Sequence, residues 1–259
     1  MAVNKQYIKE IKKRFGGYNA TWLPGSHLSL GDIGVFDHDG GFNKKGNLKD
    51  LDIDFQISQE SATGQLEYSS ERGSTTTQKL AGTVLPSSGL GNADAGVIVN
   101  FSKKNAVVLK AKDVTFPSIS NKIQLEADII KLYHQQKWKK EWCVVTELAK
   151  AESATILISN SANSEIVLKA NANINAPKID IADASFHFSC IHEKEVGLKI
   201  IAEGGLTPLF KAQKMNLKKG DLQQCLANQT SNVNTPALNA TVDMEFIDFV
   251  FSDENTQMA

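Results

Sequence analysis

Residues 164–176 read SEIVLKANANINA, and alternate positions diverge. Ile166, Leu168, Ala170, Ala172, Ile174 and Ala176 form one row, apolar throughout. Glu165, Lys169, Asn171, Asn173 and Asn175 form the other row, with Val167 among them. A period of two is the signature of a strand with unlike faces. The preceding ATILISN alternates as well, and NSANS between them is turn chemistry. Residues 154–176 therefore predict a hairpin whose second strand runs from Ser164 to Ala176. At about 3.3 Å per residue that strand would reach roughly 40 Å. A strand crossing a bilayer needs only about 9–11 residues.

Elsewhere the period changes. Ile8, Ile11 and Phe15 fall on one face of residues 5–15, with Lys on the other, and predict a short helix with Gly16 at its C-cap. Such a helix docks at a domain edge or lies, by its basic face, on a membrane surface. Ile123, Ala127, Ile130 and His134 predict a second helix over 120–137, with Ser120 as N-cap. Short apolar pieces separated by LPGS, DHDGG and KKGN predict strands and tight turns over 20–57. Asp50, Asp52 and Asp54 then line one solvated strand face. Residues 58–95 are rich in Ser, Thr and Gly and predict a weakly paired region. Strands return at 95–116, and the last third alternates in short pieces around the polar stretch 216–241. In ASFHFSC the same period puts Phe186, Phe188, Cys190 and His192 on one buried face. Pro208 confines GGLTPLF to an edge or a strand start. The expected class is α+β, a single domain dominated by a twisted antiparallel sheet, with one N-terminal and one central helix.

Composition adds exclusions. The 259 residues carry a formal net charge of −1, so no global field draws the chain to nucleic acid. Arg14 and Arg72 are the only arginines, which weakens base-edge and bidentate phosphate recognition. Cys143, Cys190 and Cys225 have no metal spacing, and their odd number suits reduced thiols in a cytosol. The first residues lack the apolar stretch of a secretory signal. The five histidines form no HxH or HExxH pair, and GxSxG is absent. DHDGG lacks the Glu of a calcium loop and reads as a hairpin turn; GLGNADAG lacks the spacing of a phosphate loop. The expectation is no enzyme, no metal and no cofactor.

The run from Asp113 to Asn171, a helix followed by Val144-Val145-Thr146-Glu147 and then the alternating hairpin, resembles the middle of bacterial gasdermins. That resemblance implies a pore former, cytoplasmic and autoinhibited at rest, activated by a protease, which then forms a homo-oligomer in a lipid membrane. Bacterial members commonly carry an N-terminal Cys for acylation; here the first is Cys143. In the inserted form Ile156, Ile158, Ile166, Leu168, Ala170, Ala172 and Ile174 would face lipid, and Lys169, Asn171 and Asn173 water. The C-terminal segment 242–259, with Phe246, Phe249 and Phe251, is the candidate cover of a body formed by residues 1–241; its alternative is a last core strand. The alternative function is a non-catalytic β-rich binding or adaptor domain.

Overall fold

The computed structural model describes residues 3–58, 64–86, 88–217 and 244–249. The chain opens with helix α1 (Val3–Arg14), which buries Tyr7, Ile8 and Ile11 and ends on Lys12, Lys13 and Arg14. Cations there complement the helix dipole. The positive φ that turns the chain out of α1 falls at Gly17, one residue after the expected cap. Strand β1 (Asn19–Ala20) follows, then β2 (Asp32–Phe36) and β3 (Phe42–Asn47). DHDGG is the hairpin turn between β2 and β3: one Asp37 carboxylate oxygen accepts from the backbone N–H of both Asp39 and Gly41.

Residues 48–51 depart from expectation. They form a 3-10 turn, not a strand. The Asn47 side chain caps it, the Asp50 carboxylate answers to the Asn47 N–H, and Asp52 closes it in the left-handed region. The three aspartates therefore share no strand face.

Strands β4 (Ile57–Ser58), β5 (Gly64–Ser69), β6 (Ser74–Lys79), β7 (Ala95–Phe101), β8 (Val107–Thr115) and β9 (Ser118–Ile119) come next. The Ser/Thr-rich region is thus more ordered than its composition suggested: β5 pairs with β8 and β6 with β7. Backbone ladders and β-branched Thr carry it, where large apolar side chains are few. Helix α2 (Lys122–His134) buries Leu125 and Ile129, while Ile123 is exposed. The buried stripe is therefore the neighbouring row to the one expected. Ser120 does not cap α2; its N–H and hydroxyl both donate to the Gln56 carbonyl.

The remaining strands are β10 (Cys143–Ser159), β11 (Glu165–Ala170), β12 (Ser189–Lys194), β13 (Val196–Gly204), β14 (Leu209–Leu217) and β15 (Met244–Phe249). Strand β10 organises the molecule. Its first half lies between β14 and β2, and its second half between β8 and β13. A separate four-stranded sheet runs β12-β11-β7-β6. All described pairings are antiparallel, and the fold is α+β with an N-terminal and a central helix, as expected.

Three cores result. Phe42, Phe210, Val144, Leu125 and Ile129 hold the first half of β10. Tyr7, Ile8 and Ile11 of α1 cover Val107, Leu109, Ile156 and Ile158. Val97, Val99, Ile166 and Leu168 pack against Val108 and Leu157, joining the small sheet to the large one.

Candidate functional site

The expected hairpin of residues 154–176 does not form. Strands β10 and β11 lie in different sheets: β10 pairs with β8 and β13, β11 with β7 and β12. Nor does the second strand reach Ala176; it ends at Ala170. Asn171 and Asn173 stop it, their side-chain amides donating to the carbonyls of His187 and Ser185, with Asn173 at φ 53°. Short amide side chains compete with the ladder for backbone partners. Ala172 and Ile174 thus lie in a turn, and Ile174 is exposed. Lys169 pairs with Asp94 at 2.7 Å.

What the residues build instead is two sheets joined strand by strand across a crease. Four strands of the large sheet, in the order β5-β8-β10-β13, each continue through a short corner into the small sheet as β6, β7, β11 and β12. The corners are residues 70–73, 102–106 and 160–164 and the single residue Glu195.

At the centre the two halves share one register. Ile158 faces Val107 on one side of the crease, and Glu165 faces Asn100 on the other. Seven residues separate these pairs on each strand, so none is inserted or lost. Hydrogen bonds in the same register continue into the corners, from Ser159 N–H to the Ala106 carbonyl and from Phe101 N–H to the Ser164 carbonyl. The outer ladders lack this continuity. From Ser69↔Val108 to Ser74↔Phe101 one strand advances five residues and the other seven. From Ser159↔Val196 to Glu165↔Lys194 the steps are six and two.

Parity turns the shared register into a face. Val107, Leu109 and Ala111 pack beneath α1, and Ala95, Val97, Val99 and Phe101 pack between the sheets. All are odd-numbered, so on a straight strand they share one side. Ala154, Ile156 and Ile158 beneath α1 and Ile166, Leu168 and Ala170 between the sheets are the even-numbered counterparts on β10 and β11. One amphipathic surface is thus hidden in two places, half under α1 and half between the two sheets. At the crease Lys103, Asn105, Asn160 and Ser164 interrupt it.

The corners are held by hydroxyls. Ser70 Oγ accepts from Val107 N–H at 2.9 Å, Ser159 Oγ from Ala106 N–H at 2.8 Å, and Ser164 Oγ from Ser161 N–H at 3.0 Å. Ser164 Oγ also donates to the Glu195 carbonyl, and Ser102 Oγ to that of Arg72. Gly73 is required by space: a Cβ there would lie 2.8 Å from the Ser70 Cβ and 3.0 Å from the Ala106 Cβ. Beside the first two corners Lys13, Arg14, Lys103 and Lys104 line a pocket of about 370 Å³ with Glu10, Glu71 and Tyr68. The Tyr68 hydroxyl donates to Glu10 and fastens α1 to β5; burial and then that bond push the phenol up to about 12.

The remaining candidates fall elsewhere. Cys190 and His192 are exposed on β12, not buried in a row with the phenylalanines. Phe186 sits in a 3-10 turn and His187 turns left-handed, which shifts the strand start to Ser189 and breaks the alternation. Among the described residues no group of three His, Cys, Asp or Glu could hold a metal. No described helix is long and apolar enough to cross a membrane. Phe246 and Phe249 lie on β15, opposite Met215 and Ala212 of β14. Phe251 and Cys225 lie outside the described residues, as does the polar stretch from residue 218 to 243. Sequence reasoning missed the crease, although its signal was present: a serine-bearing polar break recurs between apolar runs at 102–105 and 159–164.

No family model and no curated protein matches the chain. Among solved structures it is similar to the cryo-EM structure of the Gasdermin A3 membrane pore, at 10% identity and TM-score 0.38, over 84% of this chain and 91% of that one. It is also similar to a bacterial gasdermin from Bradyrhizobium tropiciagri, at 16% identity and TM-score 0.34, over 79% of this chain and 84% of that one. Both carry the name of the family that residues 113–171 resemble.

Proposed function

We propose that this chain is a pore-forming protein whose two sheets straighten across the crease on activation and join those of other copies in a membrane β-barrel. The observation that carries this reading is the central register. Straightening β7–β8 against β10–β11 breaks no ladder and merges two hidden rows into one apolar face. The merged strands run from Ala95 to Thr115 and from Lys150 to Ala170. Each would span roughly 70 Å at about 3.3 Å per residue, ample for a bilayer core of about 30 Å. A closed barrel also satisfies every backbone group that an open sheet would leave bare in lipid.

Charge sets the depth. Lys103 and Asn105 interrupt the apolar row at the crease, which therefore belongs among headgroups rather than at the midplane. Lys13, Arg14 and Lys104 lie beside it and would favour anionic lipid. At rest the protein is soluble, with α1 over one half of the row. The segment 242–259 is the cover of a body formed by residues 1–241: β15 completes the sheet along β14, and a protease cut before it would free that edge.

The test combines clipping with a face assay. Cleavage between residues 218 and 243 should release dye from anionic vesicles. A polarity-sensitive fluorophore on single-cysteine variants should shift to the blue at Ile166, Leu168 and Ala170, and not at Val167 or Lys169. Equal responses on both rows would end the face assignment. Silence after every clip would leave a binding or adaptor domain.

A further inference from the structure

Between β11 and β12 the chain does not turn back directly. Residues 177–186 run into the gap between the two sheets, burying Ile179, Ile181 and Phe186 in the core they share, with Ala182 buried beside them in the chain. PKIDIAD alternates as a strand does, yet it joins no ladder. Its carbonyls are met by side chains instead. Gln78 Nε2 donates to Ile179 at 2.9 Å, the Thr155 hydroxyl to Ile181 and the Ser153 hydroxyl to Ala182. Lys112 Nζ closes the contact on the Asp183 carboxylate at 2.5 Å.

These partners lie on both sides of the crease. Gln78 belongs to β6 in the small sheet; Lys112, Ser153 and Thr155 belong to β8 and β10 in the large one. A segment bonded to both halves holds them at a fixed angle. Residues 177–183 reach both sheets only through side chains and can leave without breaking a strand pair; at the end of the segment the Phe186 carbonyl stays tied to the backbone N–H groups of Asn171 and Ala172. Thr155 has a further role: its oxygen accepts from Ala202 N–H at 2.7 Å, beside a register shift of β10 against β13. Releasing the segment frees that hydroxyl to serve β13 alone.

We infer that residues 177–186 form an internal strap which keeps the two sheets folded together, separate from any cover supplied by the C-terminus. The strap is a second restraint, so removal of residues 242–259 alone leaves the crease closed until the strap departs. The role of the strap in controlling insertion rests on the pore reading above; its role as a restraint on the crease does not.

The experiment therefore has two readouts. In the full chain, Ser153→Ala with Thr155→Val should speed amide exchange at residues 95–101, 165–170 and 179–186 by about tenfold or more, the scale of the two hydrogen bonds lost to the strap; the third lost bond, from Ala202 N–H, lies outside these residues. Amides of α2 and β2 should stay as slow as in the parent, which separates strap release from a failure to fold. Asp183→Asn, which spares the buried hydroxyls, should act in the same direction and less strongly. Unchanged exchange at 179–186 in both variants overturns the inference. The second readout is dye release from phosphatidylcholine vesicles containing phosphatidylglycerol, after clipping between residues 218 and 243. Faster release by the strap variants supports the inference. Release by the clipped parent with no acceleration in the variants overturns the strap as a control on insertion. If exchange rises and neither protein releases dye, the membrane reading fails and the strap stands.

Discussion

One strand of this molecule belongs to two different kinds of structure. The first half of β10, Cys143–Ala149, is clamped by aromatic packing: Phe42 and Phe210 sit 5.3 Å apart and Phe36 stacks on Phe210 at 6.0 Å. A buried Asp32 nearby is matched by Lys44 at 2.8 Å and by the Asn47 amide at 2.9 Å. The second half, Lys150–Ser159, begins with small Ala151, Ser153, Ala154 and Thr155 before the fully buried Ile156, Leu157 and Ile158, and its outer contacts are a helix, a strap and serine corners. Large rings are hard to separate because each buries so much area. Small aliphatic side chains and hydroxyls release cheaply, since water replaces the hydroxyl partners. The contrast predicts that the second half of β10 opens more readily than the first.

The largest expected effect lies in the clamped half. Phe210→Ala should cost about 3–5 kcal/mol and lower the urea midpoint of the whole domain. Both halves should unfold together, because β10 runs through both. Unfolding of the creased half alone in this variant would break the comparison.

Leu168→Ala removes a fully buried side chain from the creased half and should cost about 2–5 kcal/mol. Its loss should appear as local opening, with faster exchange at residues 95–101 and 165–170. Cys143 reports on the other half. It is buried, and burial pushes its thiol up to about 11, with Lys214 pulling weakly the other way. Thiol labelling of Cys143 should accelerate in Phe210→Ala and not in Leu168→Ala, while exposed Cys190 labels readily in both. Equal labelling of Cys143 in the two variants would mean that the halves are not separable. At the first corner, Gly73→Ala forces a Cβ into contact with Ser70 and Ala106. It should cost about 1–3 kcal/mol, with the excess exchange confined to β5 and β6.

The clamped half was easier to read in the sequence than the creased one. Turns such as DHDGG and helix α2 follow from residue preferences acting over a few positions. The apolar row through Ile156, Ile158, Ile166, Leu168 and Ala170 was also legible, because parity survives whatever the strand pairs with. The partner of each strand was not. Two alternating runs joined by NSANS look like a hairpin, and nothing local says that the chain turns a corner into another sheet. Register is a property of four strands at once, and the shared offset of β8–β10 and β7–β11 is visible only when they are paired. The aspartates at 50, 52 and 54 misled for the opposite reason: their spacing fits a strand, but the side chains of Asn47 and Asp50 bond locally and win the backbone for a 3-10 turn. The strap was hidden because PKIDIAD has the pattern of a strand and obtains its hydrogen bonds from distant side chains.

The smallest expected effect is the pH response of the strap. Burial alone would raise the Asp183 carboxyl, but the hydrogen bonds from Lys112 and Ser185 outweigh it and hold the carboxyl below its ordinary value of 3.8. Lys112 is raised above its ordinary value of 10.5, chiefly by its bond to Asp183, with Asp113 and Asp180 adding charge nearby. A depressed carboxyl stabilises above its unfolded pKa and loses that contribution as pH falls through the folded one. A raised amine stabilises below its unfolded pKa and loses its contribution as pH rises through the folded one. The pair therefore gives a plateau between the two ordinary values, with loosening at its acid and alkaline ends. The charges are partly exposed, so the effect is screened and small. Protection at residues 179–186, corrected for intrinsic exchange, should stay flat through neutral pH and fall on acidification below about pH 4. Asp183→Asn should abolish that acid step while leaving protection in β2 and α2 unchanged, and added salt should flatten it. An acid step that persists in Asp183→Asn would assign the response to other carboxylates and remove the ion pair from the strap's hold.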